Sequence, residues 1–184
     1  MKMDSMYRVS KYRWAVLAVT MLVNATLQAL WIAYSPITSA ASTYFGVSEL
    51  AVGFFAMSFM IAFLPLSLPA SWFIDRFGFV KAIGLGSVAV GIFGLLRGLA
   101  GSNFTLAMVA TCGMAVAQPL FLNAWTKMPA AWFPAKERAT AVGLTTIANI
   151  VGTAVGLVVT PLLAVSMGMA KIQLVYGGAA VVAA

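Results

Sequence analysis

The sequence predicts an all-α integral membrane protein: a helical bundle of five full spans and the start of a sixth. The first sign is the length of its apolar blocks. From Trp14 to Ala184 the chain is interrupted only by short polar or charged segments, ITSAASTYFGVSEL, IDRFGFVK, LAGSNF, KMPAAWFPAKER and SMGMAK. Each span read from them reaches twenty residues or more except the last, and twenty helical residues cover roughly 30 Å, the hydrocarbon thickness of a bilayer. The second sign is composition, 62% hydrophobic and 8% charged, far from the balance of a soluble domain. The third is the placing of the few charges, which cluster in alternate connections.

The spans are predicted at about 14–41, 50–73, 80–99, 104–124, 139–165 and 172–184, read from hydropathy and loop signals. The first follows a basic tail (Lys2, Arg8, Lys11, Arg13) that resembles a signal-peptide n-region. Its apolar stretch is too long for an h-region and carries Asn24 and Gln28, so a retained helix is expected. The second holds Pro65 and Pro69; prolines suit membrane helices whose neighbours satisfy the freed carbonyls. The third is glycine-rich (Gly84, Gly86, Gly91, Gly94), read as helix-packing positions. Gly84-x-Gly86 lacks the third glycine and the preceding strand of a nucleotide loop. The fourth contains Cys112, Gln118 and Pro119. The fifth reads Asn149-Ile-Val-Gly152-Thr-Ala-Val-Gly156, a small-xxx-small face for close approach of another helix. The last apolar run has 13 residues (172–184), too few to cross comfortably. The chain is therefore expected to be a fragment of a longer protein, or a half that pairs with another.

Charge orients this topology. With the N-terminus cytoplasmic, nine basic residues (Lys2, Arg8, Lys11, Arg13, Arg76, Lys81, Lys127, Lys136, Arg138) lie inside and two, Arg97 and Lys171, outside. That asymmetry predicts a multi-pass protein of the cell membrane with a cytoplasmic N-terminus. The same placement explains the net charge of +7 without nucleic acid, because no basic stripe or aromatic platform unites these residues. One cysteine allows no internal disulfide. No histidine and four acidic residues leave no zinc or calcium set, and neither metal nor cofactor is expected. No nucleophile–base pair or paired carboxylates can be assembled, so no catalytic residue is assigned.

The four acidic residues, Asp4, Glu49, Asp75 and Glu137, all fall in tails, loops or helix ends. Recognition inside the bilayer is thus left to uncharged polar side chains. Asn24, Gln28, Trp31 and Ser35 follow at i, i+4, i+7 and i+11, one stripe of a helix. Thr111 and Gln118 share a face of the fourth span, and Asn149 lies one turn from Thr145. Polar groups in hydrocarbon turn toward a cavity or toward a neighbouring helix, and both readings stand for each residue. Asn24, Gln28, Trp31, Gln118 and Asn149 are the substrate-binding candidates. For Trp31 a packed or interfacial aromatic is the alternative.

Two loops carry a resemblance. Ser71-Trp-Phe-Ile-Asp75-Arg76-Phe-Gly78-Phe-Val-Lys81 is similar to the signature loop of the major facilitator superfamily, Gly-x-x-x-Asp-Arg-x-Gly followed by basic residues. Ser71 replaces the first glycine and one basic residue is missing. Phe133-Pro134-Ala-Lys-Glu137-Arg138 resembles the second cytoplasmic loop of the same superfamily, two spans later. The resemblance implies the N-terminal six-helix half of a transporter that works by alternating access between two halves. Its gating loops would be Asp75, Arg76, Gly78, Lys81, Glu137 and Arg138. Arg76, Arg138 and Glu137 are expected to form a charge network across that face, while Lys81 and Lys136 read as topogenic charges.

A narrower likeness follows from Trp31-Ile-Ala-Tyr34-Ser35-Pro36-Ile37, Pro69-Ala-Ser-Trp72-x-x-Asp75 and the run from Trp132 to Gly156. These resemble the feline leukaemia virus subgroup C receptor-related transporters. The likeness implies a choline-, ethanolamine- or haem-type cargo and a first-helix tryptophan that holds a quaternary ammonium, for which an indole face is suited. Ile150 stands where the choline-carrying members have a polar residue. The expected partners are therefore the lipid bilayer, a small-molecule substrate and a C-terminal six-helix half. A non-transporting scaffold or receptor of the same fold is the rival reading; it predicts a cavity plugged by apolar side chains.

Overall fold

The computed structural model describes residues 11–184; Lys2, Asp4 and Arg8, used above in counting charges, lie outside the described residues. Every regular element among the described residues is helical. Five segments, Tyr12–Phe45, Glu49–Phe77, Phe79–Gly98, Phe104–Ala124 and Ala135–Met167, are long and apolar enough to cross a bilayer. A shorter apolar helix, Met169–Ala183, follows.

The first span is not one helix. α1 runs Tyr12–Ile32, a 3-10 turn covers Ser35–Ile37, and α2 runs Thr38–Phe45. Pro36 has no amide to bond Ile32, and its ring crowds that carbonyl, so the helix cannot continue through it. Pro65 and Pro69 lie inside α3 (Glu49–Phe77), whose helix continues around them. Ser48 starts α3 as an N-cap, accepting from the Ala51 amide at 3.2 Å. Gly78 ends it, with φ +87, a conformation open to glycine, and donates to the Ile74 carbonyl at 2.9 Å. α4 (Phe79–Gly98) starts directly from that turn. Asn103 caps α5 (Phe104–Ala124), and the short α6 (Lys127–Trp132) folds where a loop is expected from the sequence.

α7 spans Ala135–Met167, starting four residues before the expected 139. Pro134 is extended (φ −62, ψ 154) and ends the approach, after which Ala-Lys-Glu-Arg are strong helix formers. Glu137 in the first turn also faces the positive end of the helix dipole. Glu137 and Arg138 therefore belong to a helix start rather than a loop. α8 (Met169–Ala183) ends the described chain.

Small residues set the packing. α7 lies along α1 so closely that a Cβ on Gly152 would meet the Ala25 backbone, and one on Gly156 would meet Ala29 and Ile32. In α4, Gly91 and Gly94 face Ala184 and Ala180, and Gly86 faces the Phe121 ring. Gly84 differs from the expectation: it is exposed, with nothing within 4 Å of a Cβ built there. It lies two residues from Gly86, so the two point about 200° apart on the helix. α5 is the most buried span, while α3 and α7 present the most surface. Leu64, Leu68 and Val165 on those two helices are among the most exposed side chains, an arrangement suited to lipid or to further helices.

The core is fullest at the end of the bundle that contains Tyr34, the end opposite Asp75. There Tyr34, Phe45, Phe55 and Phe104 form a ring cluster with centroids 4.7–6.0 Å apart, in the offset and edge-to-face range that aromatic pairs prefer.

Candidate functional site

The polar stripe of α1 holds through one turn fewer than the spacing suggests. Asn24 is buried and its Nδ2 donates to the Thr20 carbonyl at 2.8 Å, within its own helix. Gln28 and Trp31 are half-buried. Ser35 leaves the stripe, because it lies in the 3-10 turn after the break and is exposed. Trp31 Nε1 donates to the Ala56 carbonyl of α3 at 3.1 Å, fixing the indole against the neighbouring span. With the N–H engaged, the π face is what the ring has left to offer a ligand.

On the other helices, Gln118 of α5 is 7% exposed. Asn149 of α7 is buried and donates to the Thr145 carbonyl at 2.9 Å. Its Oδ1 is the buried side-chain polar atom left without a partner among the described residues. An orphaned amide oxygen in a span costs free energy unless something else meets it. Two clefts open on the surface, of about 190 and 230 Å³, the first lined by Tyr12, Val16, Thr20, Phe79 and Ile83 and the second by Leu85, Phe93, Gly113 and Leu120. Neither is lined by Gln28, Trp31, Gln118 or Asn149, so these two clefts do not gather the candidates.

The charged face of the bundle is organised differently from the expected network. Asp75, in the last turn of α3, pairs with Lys127 at the start of α6. Glu137 pairs with Arg13 of α1, through Nε–Oε2 at 3.1 Å and Nη2–Oε1 at 3.2 Å. Arg13 also lies 5.7 Å from the Trp14 and Phe133 ring centroids. Arg138 Nε donates to the Phe133 carbonyl at 3.0 Å. Arg76 lies over the Trp72 and Phe77 rings, at 5.3 and 5.7 Å. Gly78 makes the turn described above, and Lys81 is exposed. Arg76, Arg138 and Glu137 thus each find a separate partner.

Three polar groups were not singled out by the sequence. Asn123 Nδ2 bridges α5 to α3, donating to the Ser67 carbonyl at 2.7 Å and to Ser71 Oγ at 3.0 Å. It stands near a helix end, where a polar residue gives no signal. Gln173 Nε2 donates to the Tyr34 hydroxyl at 3.1 Å. Arg97, counted above among the outside charges, is buried inside the bundle in the last turn of α4.

Five apolar helices of spanning length define a multi-pass membrane protein. The chain belongs to the Major Facilitator Superfamily, whose family model matches residues 16–184. It is similar to the choline/ethanolamine transporter FLVCR2 of Rattus norvegicus, 32% identical over 165 residues, 88% of this chain and 30% of that protein. It is also similar to the choline/ethanolamine transporter FLVCR1 of Felis catus, 29% identical over 157 residues, 84% of this chain and 28% of that protein. Solute carrier family 49 member A3 of Xenopus tropicalis is 29% identical over 167 residues, 84% of this chain and 34% of that protein. The chain thus spans about a third or less of the length of these relatives.

Proposed function

We propose that residues 1–184 form the N-terminal half-domain of a transporter that moves a small organic cation, such as choline, across the cell membrane by alternating access. The observation that carries the cargo class is Trp31. Its indole is half-buried at the end of α1 and fixed by the Ala56 carbonyl. The acidic residues among the described ones, Glu49, Asp75 and Glu137, lie in the first or last turns of their helices. A cation deep in this bundle therefore has aromatic faces and amide oxygens, not carboxylates, to meet it. Gln118 and Asn149 Oδ1 are the amide oxygens in this reading. The names of the relatives, choline/ethanolamine transporters, support the same class.

In this reading the N-terminus is cytoplasmic, and the Asp75–Lys127 and Arg13–Glu137 pairs belong to the inner gate, with a C-terminal six-helix half completing the pathway. Both described connections between spans at the Asp75 end carry basic residues (Arg76 and Lys81; Lys127, Lys136 and Arg138). At the other end Lys171 is the exposed basic residue, once Arg97 is counted with the core. Transport rather than enzymatic chemistry is the activity to assay.

The test uses the purified full-length protein. Choline and ethanolamine are expected to raise its thermal stability and to be taken up by cells that express it, while anions of similar size do neither. Stabilisation by anions alone would overturn the cargo class. A protein that moves no solute at all would point to the scaffold reading.

A further inference from the structure

Arg97 is 4% exposed, and no carboxylate pairs with it among the described residues. Its Nη1 donates to the Leu30 carbonyl at 2.9 Å, and its guanidinium carbon lies 4.6 Å from the centroid of the Tyr34 ring. Tyr34 is itself buried, and its hydroxyl accepts from Gln173 Nε2 at 3.1 Å. Gln173 Oε1 accepts in turn from the Tyr44 hydroxyl at 3.5 Å. One side chain from α4 and one from α8 thus hold the break between α1 and α2 from two sides.

Burying an ion is expensive, and an apolar side chain of the same volume would fill this place without that penalty. What the charge gains is specific to the end of a helix. The last carbonyls of α1 lack intrahelical donors because Pro36 stops the helix, and they sit at the negative end of its dipole. The Tyr34 ring adds its quadrupole beneath the cation. Both contacts fall at the break in the first span, one on the last turn of α1 and one on Tyr34 just past it. Leu30 is the residue before Trp31, and a helix that unwinds by one residue there turns the indole by about 100°. The carbonyl contact and the Trp31–Ala56 bond therefore fix one turn of backbone and one side chain together.

We propose that Arg97 is a positioning residue for the substrate site: it clamps the final turn of α1 across the break and so sets where the Trp31 indole stands. This inference rests on the reading of Trp31 as the cation contact. It separates Arg97 from a residue that merely stabilises the bundle. A clamp that positions the indole changes affinity for the cargo, even where removing it leaves the fold as stable as before.

The experiment uses the full-length transporter with Arg97→Met and Arg97→Lys, reading choline KM and Vmax, thermal stability, and hydrogen exchange of the amides of residues 31–38. Arg97→Met removes the buried charge at similar volume, so stability is expected to hold or rise. Its KM is expected to rise by about tenfold with little change in Vmax, since a stacked, hydrogen-bonded Arg contributes on that order. Exchange at 31–38 should quicken. Arg97→Lys keeps the charge without the planar fork, and should fall between Met and Arg. In a Trp31→Phe background, Arg97→Met should add much less than tenfold. Unchanged exchange and KM in a stable Arg97→Met protein would overturn the proposal, as would a loss of stability with KM intact. If exchange quickens but Trp31 substitutions leave KM untouched, the reading of Trp31 falls while the clamp itself is supported.

Discussion

Arg13 and Glu137 form a two-pronged ion pair between the first turn of α1 and the first turn of α7, across 124 residues of sequence. Further along the same two helices, Gly152 seats against the backbone of Ala25 and Gly156 against Ala29. Two fastenings of different kinds, one ionic at the helix ends and one steric within the span, make α1 and α7 a single body. The steric one is the stronger. The ion pair is part-exposed and contributes about 1 kcal/mol, whereas the glycine contact leaves no room for any side chain.

Gly152→Val is accordingly expected to prevent α1 and α7 from closing. Overpacking of this kind costs roughly 1–3 kcal/mol where neighbours can shift, and here the neighbour is backbone. The yield of monodisperse full-length protein in detergent should fall severely. Gly84→Val, with open space around it, should leave the yield unchanged. Equal yields for the two variants would show that the close approach is not required.

The spans were legible in the sequence because each is a long apolar block between charges, and block length is a direct statement about bilayer thickness. Gly152 and Gly156 were legible for a related reason, since their four-residue spacing fixes one helix face. The partners of the charges were not. Asp75 meets Lys127 and Glu137 meets Arg13 only because the bundle brings distant helix ends together, and no local spacing records that. The burial of Arg97 was not legible because a lone arginine beside glycine and leucine at a span end reads as an exposed outside charge until Tyr34 and Leu30 are seen around it. Ser35 was misplaced because a periodicity argument assumes an unbroken helix, and Pro36 breaks this one.

The Asp75–Lys127 pair is exposed, with 69% of the Asp75 side chain accessible, so its contribution to stability is small. Asp75→Asn should therefore leave membrane expression near wild type. In the proposed gate the same substitution should lower turnover, because the pair is made in one state of the transport cycle and broken in the other. Exchanging the charges, Asp75→Lys with Lys127→Asp, should recover part of the lost turnover. Loss of folded protein with normal specific activity in the remainder would identify Asp75 as a purely structural residue.

The proposed orientation is open to labelling from one side of the membrane. In a background with every cysteine replaced, Cys112→Ser among them, Ser102→Cys and Lys136→Cys place single thiols at opposite ends of the bundle, both at exposed positions. An impermeant maleimide on intact cells should react with the thiol at 102 and spare the one at 136, which should react after permeabilisation. The reverse pattern would put the N-terminus outside, and reaction at both positions would break the topology.

The sharpest distinction concerns Trp31, which is either a substrate contact or a strut between α1 and α3. Its bond to the Ala56 carbonyl fits both roles, so a simple loss of function cannot separate them. Phenylalanine can. Trp31→Phe removes the N–H and so the strut, yet keeps an aromatic face, which is a weaker surface for a cation than indole. Trp31→Ala removes both. For a cation held by the ring, Phe should bind choline modestly more weakly, and Ala more weakly by about 2 kcal/mol, close to thirtyfold, in a desolvated site. For a strut, Phe and Ala should lose stability to a similar degree, with little selectivity among substrates. The measurement is the substrate-induced rise in thermal stability across choline, ethanolamine and a set of anions, each compared with its own ligand-free variant. An alanine variant that binds every transported compound as tightly as wild type would make Trp31 a packing residue and take the cation reading with it.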